Sequence, residues 1–242
     1  MTCEVTLNRG KQQILISPAH ISSFLLFCLF RFFTSIFWGW YGTHDSHTSI
    51  DRSFSYFTWL SYWGVGFYML FAAIHTVCYA RTGRSVLFDR WPRAFRVLHS
   101  LLYVTITMYP FLVTVVFWAV VFTPPWYKKT FTGWQNISQH GLNSVYALME
   151  IIIPVTAPHP FIAIPFLLVI LLLYLCVAYI THETEGWYPY FFLDAGSHGQ
   201  KSKLVVGYYF GILAAVLVFF VISWALIQLR CRMTHGTTKR AR

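Results

Sequence analysis

From Phe166 to Tyr174 the chain holds no polar side chain except one phenol, and the surrounding run from Phe161 to Ile180 is apolar throughout most of its length. About 20 such residues in a helix cover the hydrocarbon core of a bilayer. A helix that is apolar on every side has no stable place on the surface of a water-soluble domain. Five further runs have comparable character: Ile21 to Trp40, Tyr56 to Ala80, Leu98 to Phe122, His140 to Val155, and Leu204 to Leu229. The whole chain of 242 residues is 57% hydrophobic and 11% charged, where soluble domains carry about 25% charged residues. Disordered, coiled-coil and ordinary soluble-enzyme classes are excluded on that ground. The expectation is an all-α polytopic membrane protein with six transmembrane helices. A segment 1–20 precedes the bundle, residues 21–229 form it, and 230–242 is a basic tail. The first run is not followed by a small-residue cleavage site and reads as a retained helix.

Charge fixes an expected orientation. The formal net charge is +10, yet the basic residues lie in short loops rather than in one stripe, so nucleic acid is not an expected partner. Six spans place both termini on one face. That face carries Arg9, Lys11, the arginines at 81, 84, 90, 93 and 96, and the basic tail. The opposite face carries only Arg52, Lys128, Lys129, Lys201 and Lys203. The excess puts both termini in the cytosol. Five scattered cysteines without a paired spacing predict no disulfide framework and no zinc site.

The fourth run is the most polar. At about 100° per residue, His140, Asn143, Ser144 and Glu150 share an arc of about 120° with Ala147. Lipid satisfies none of these groups, so the arc must face the bundle or a wet cavity. Glu150 is expected to be protonated or hydrogen-bonded to another helix. Pro110 is expected to kink the third run.

Histidines mark the ends of the runs. His75 and His99 fall near the expected cytosolic face, His140 and His182 near the other. Thr58, with Ser61 and Tyr62 beside it, opens the second run and shares the face of His140 and His182. A hydroxyl becomes a useful nucleophile once a base takes its proton, so a Thr–His pair is chemically sufficient for acyl transfer. The stretch from His182 through Trp187, Tyr188, Pro189 and Tyr190 reads as an aromatic cap over an interhelical cavity. Asn136-Ile137-Ser138 matches a glycosylation sequon but stands too near the membrane to be used.

Three groups of residues carry a family resemblance. One is Gly133-Trp134-x-Asn136-x-x-x-His140 with Glu150 ten residues on. The second is His182-x-x-x-Gly186-Trp187-x-x-x-Phe191-Phe192-Leu193-Asp194. The third is Phe57-Thr58-Trp59. The chain resembles the androgen-induced and androgen-dependent TFPI-regulating proteins, a family of six-span membrane proteins, and the run from Asn136 to Ser144 also looks like the rolling-stone-like proteins. The resemblance implies a threonine-type hydrolase of fatty-acid esters of hydroxy fatty acids or similar lipid esters. It makes Thr58 the nucleophile and His140 the base, with Asn143, Ser144, Glu150 and His182 as possible oxyanion or cavity groups. Ile137 and Ser61 stand where the family pattern has a histidine and an aspartate.

Two other functions fit the residues alone. One is a non-enzymatic membrane scaffold or interaction protein. The other is a transmembrane haem electron carrier using His75 with His99 and His140 with His182. His140, His182, Glu183 and Glu185 are metal-type ligands, but nothing in their spacing fixes a geometry. No cofactor and no metal is expected. The expected partners are membrane lipids and a lipid-ester substrate. The expected location is an endomembrane, such as the endoplasmic reticulum, or the plasma membrane.

Overall fold

The computed structural model describes residues 50–240 other than 85 and 155, together with Leu29 and Phe33. The expected first span, Ile21 to Trp40, and the segment 1–20 therefore lie almost wholly outside the described residues. Among those described, regular structure is helical: α1 (Ile50–Ser53), α2 (Phe57–Thr82), α3 (Val86–Arg90), α4 (Arg93–Val116), α5 (Thr130–Ile137), α6 (Asn143–Ile152), α7 (Ala163–Glu185) and α8 (Ser202–Arg240). A π turn, Phe117–Val121, prolongs α4, and a second, Ser138–Leu142, joins α5 to α6. Four helices are long and apolar enough to cross a membrane: Phe57–Thr82, Arg93–Val121, Ala163–Glu185 and Ser202–Met233. Among the described residues, four of the six expected spans are thus helices with the length and composition to cross a membrane.

The fourth run differs from its sequence expectation. The chain is helical without a break from Thr130 to Ile152, so the helix begins ten residues before His140 and ends at Ile152 rather than Val155. At 1.5 Å per residue it is about 33 Å long. Its first half was hidden by Thr130, Thr132, Gln135, Asn136 and Ser138, which dilute any hydropathy window. In the third run, α4 continues through Pro110, and the Pro110 carbonyl accepts a bond from Ser144 Oγ at 2.9 Å.

α4 is the central helix and packs against α2, α6, α7 and α8. Half of its apolar window is buried, against 17% for α7, whose other sides are left for lipid. Three clusters form the interior of the described residues, one of them around Ala178, Phe192 and Leu193. Val65, Tyr68, Met69 and Ala73 meet Tyr103, Ile106, Ile151 and Ile227 toward the Gly83 end. Val104, Met108, Tyr109 and Leu112 meet Ala163, Leu167, Val216 and Phe220 farther along. Lipid tails are as apolar as leucine, so packing depends on close approach and interhelical polar contacts. Ala73, Ala147, Ala163 and Ala178 are buried at these interfaces, where small side chains let helices approach. Arg230 of α8 donates to the carbonyls of Ile151 (2.8 Å), Pro154 and Thr156, covering the end of α6. Those carbonyls have no intrahelical partner, and a cation offsets the negative end of the helix dipole.

Candidate functional site

A cavity of about 410 Å³ opens among α2, α4, α7, α8 and the stretch Tyr190–Leu193. Its wall includes Leu112, Val116, Leu168, Leu171, Phe192 and Ile212. Thr58, Tyr174, Tyr190 and Tyr209 contribute hydroxyls to an otherwise apolar lining. Leu172 and Leu213 also line it and are solvent- or lipid-exposed. The cavity thus reaches the surface of the described residues beside Leu172 of α7 and Leu213 of α8.

Thr58 is on the cavity wall beside Tyr190. It lies in the first turn of α2, where backbone N–H groups have no carbonyl four residues back to receive them. The Thr58 N–H donates instead to Tyr190 Oη at 3.3 Å, and the Thr58 hydroxyl is hydrogen-bonded to the same phenol at 3.2 Å. The chain reaches this position because α7 stops at Gly186. Gly186 has a φ of 75°, and its N–H returns to the His182 carbonyl at 2.9 Å. That left-handed conformation favours glycine. Tyr190 then stacks on Phe192, with ring centroids 5.0 Å apart. Burial pushes the Tyr190 phenol above its ordinary pKa, partly opposed by the bonds from Thr58.

His140 is at the middle of the second π turn. Such turns carry an extra residue and often occur at functional sites. Its Nδ1 is 3.0 Å from the Asn136 carbonyl. A carbonyl only accepts, so Nδ1 carries the proton and Nε2 is the basic nitrogen. The ring stacks on Phe117 with centroids 3.5 Å apart, and Phe117 lines the cavity. The His140 carbonyl accepts the Trp118 indole N–H at 3.0 Å. Trp118 stacks on Trp126, whose indole lies so close to Gly133 that a Cβ there would come within 3.0 Å of Nε1. Gly133, through Trp126 and Trp118, and the backbone carbonyl of Asn136 thus both bear on the position of His140.

Thr58 lines the cavity, whereas His140 lies behind Phe117 and is not among the lining residues; the two share no hydrogen bond among the described residues. Tyr62, one turn along α2 from Thr58, links that helix to the π turn of His140, its hydroxyl 3.0 Å from Ser138 Oγ. The other sequence candidates separate. Ser144 Oγ is 2.6 Å from the Thr114 hydroxyl as well as bonded to Pro110. Asn143 is fully buried in the bundle. Glu150 accepts from Tyr68 Oη at 3.0 Å, about 15 Å along α2 from Thr58 at 1.5 Å per residue. His182 stacks on Tyr188 with centroids 3.8 Å apart. His75 and His99 meet edge to face at 5.5 Å. No cluster of three or more potential metal ligands occurs among the described residues.

Tyr190 is the residue that sequence reasoning passed over. Its only signal was membership in the aromatic run 187–190, of which Tyr190 alone is among the cavity's lining residues. No family model, curated protein or solved structure matches the chain.

Proposed function

We propose that the protein is an integral membrane hydrolase of lipid esters, with Thr58 as nucleophile and His140 as base. The observation that carries this reading is the placement of Thr58, its hydroxyl beside the Tyr190 phenol, on the wall of a largely apolar cavity. An acyl ester enters between α7 and α8 and places its carbonyl beside Thr58. Nε2 of His140 takes the hydroxyl proton as Thr58 Oγ1 bonds to the carbonyl carbon, and the carbonyl electron pair moves onto oxygen. Collapse expels the alcohol, which leaves with the proton from His140. Water then attacks the acyl-threonine, passes a proton through His140 back to Thr58, and releases the fatty acid. In the resting state the Thr58 hydroxyl is bonded to Tyr190, so substrate must release it toward the imidazole; catalytic hydrogen bonds commonly tighten only once substrate is bound.

The test is covalent labelling of detergent-purified protein by a long-chain alkyl fluorophosphonate. Labelling of the wild type that disappears in both Thr58→Ala and His140→Ala is the expected result. A folded wild type that takes no label, or a Thr58→Ala variant that labels normally, overturns it. A second reading, lipid binding by a non-enzymatic membrane protein, is favoured by the bond of Thr58 to a phenol instead of an imidazole. It predicts fatty-acid binding that survives His140→Ala with no turnover in any variant.

A further inference from the structure

We propose that Tyr190 and the backbone N–H of Thr58 form the oxyanion-binding pair for a single-chain fatty-acyl ester whose tail occupies the cavity; this rests on the hydrolase reading above. Two donors converge at one place. The Thr58 N–H is free of the helix because it lies in the first turn of α2, and at present it donates to Tyr190 Oη at 3.3 Å. The phenol is 3.2 Å from the Thr58 hydroxyl. A carbonyl oxygen seated between them would replace the phenol oxygen as acceptor for the N–H and receive the phenol proton as well. Both donors are fixed before reaction, one by the helix and the other by stacking on Phe192 and edge contact with Tyr56 at 5.8 Å. Donors held in advance in a dry site stabilise developing charge without reorganising. The volume of about 410 Å³ is near the small end of ligand pockets, and its wall is formed largely by leucine, valine and aromatic side chains, which suits an acyl chain.

During attack the negative charge appears on the former carbonyl oxygen. It receives hydrogen bonds from the Tyr190 phenol and the Thr58 N–H, and neither proton is transferred. The Thr58 hydroxyl proton goes to His140, as above. Tyr190 therefore stabilises charge and does not act as a base.

The experiment measures hydrolysis of a p-nitrophenyl decanoate by the detergent-purified protein, together with binding of decyl boronic acid and of decanol. The boronate becomes a tetrahedral anion on Thr58, and the alcohol does not. Tyr190→Phe is expected to lower kcat about 100-fold with little change in KM, and to weaken the boronate while leaving decanol binding unchanged. A difluorinated tyrosine at position 190 keeps the shape and strengthens the donor, so it is expected to raise kcat below the pH at which it ionises. An unchanged kcat in Tyr190→Phe, equal losses of boronate and decanol binding, or a kcat indifferent to fluorination overturns the oxyanion role while a silent Thr58→Ala leaves the hydrolase reading intact. Hydrolysis that survives Thr58→Ala, or none in the wild type, overturns that reading and this one with it.

Discussion

The imidazole of His140 lies flat against the ring of Phe117, with centroids 3.5 Å apart and planes 10° from parallel. Phe117 thereby touches the candidate base on one side and the cavity on the other. It belongs to a π turn, as His140 does, so two irregular turns of neighbouring helices meet at this contact. Phe117→Leu keeps the wall apolar but removes the flat support. The expected result is a loss of turnover of about 100-fold, the size associated with a displacement near 1 Å, with acyl-chain binding retained. Equal turnover of variant and wild type would show that the stack does not position the imidazole.

Leu172 and Leu213 lie on the cavity wall and are also exposed. A tryptophan at position 172 narrows the lateral opening. The expected outcome is a raised KM for long-chain esters and little effect on short ones. Parallel effects on both chain lengths would place substrate entry elsewhere.

Tyr190 lies outside the spanning helices, and burial raises its phenol above the ordinary value of about 10. The neutral, donating form therefore persists through pH 10. The folded state holds this proton more tightly than the unfolded state, so the linked stability is lost as pH rises above the unfolded value. A kcat profile should show no Tyr190-dependent fall below about pH 10. An alkaline limb below that point which vanishes in Tyr190→Phe would contradict this.

Glu150 is 1% exposed and accepts from Tyr68 Oη at 3.0 Å. Tyr68→Phe removes a donor to a buried carboxyl group and is expected to cost about 1–2 kcal/mol. Glu150→Gln keeps an acceptor for the same phenol and is expected to cost less. Thermal unfolding in detergent distinguishes the two, and a larger loss in Glu150→Gln would point to a role for the acid beyond this bond.

Arg230 serves several carbonyls at the end of α6 with one planar fork. Lysine keeps the charge but not the fork. Arg230→Lys is expected to lower stability by about 1–3 kcal/mol while fluorophosphonate labelling of Thr58 at low temperature persists. Loss of labelling without loss of stability would show that this end of the helix bears on the site.

Helical membrane architecture was legible in the apolar runs because a helix meeting lipid on most of its surface must be apolar there. The spans opened by Phe57, Ala163 and Ser202 match those runs closely. The polar arc of the fourth run was legible for the complementary reason: His140, Asn143, Ala147 and Glu150 are all buried. The extent of that helix was not legible, because Thr130–Ile137 carries polar groups that a hydropathy window reads as loop. Its π turn was equally hidden, since one extra residue per turn leaves no mark on composition.

The apolar runs and the polar arc of the fourth run could be read from the residues alone, and four of those runs are helices long and apolar enough to cross a membrane. These follow from local periodicity and the cost of exposing polar groups to hydrocarbon. Only the tertiary structure decided which polar groups meet. It gave Thr58 to Tyr190, 132 positions away along the chain, stacked His140 on Phe117, and sent Glu150 to Tyr68 at a distance from both. Such pairings depend on how helices approach and where a turn such as Gly186 redirects the chain, and those are properties of the packed bundle that no single segment encodes.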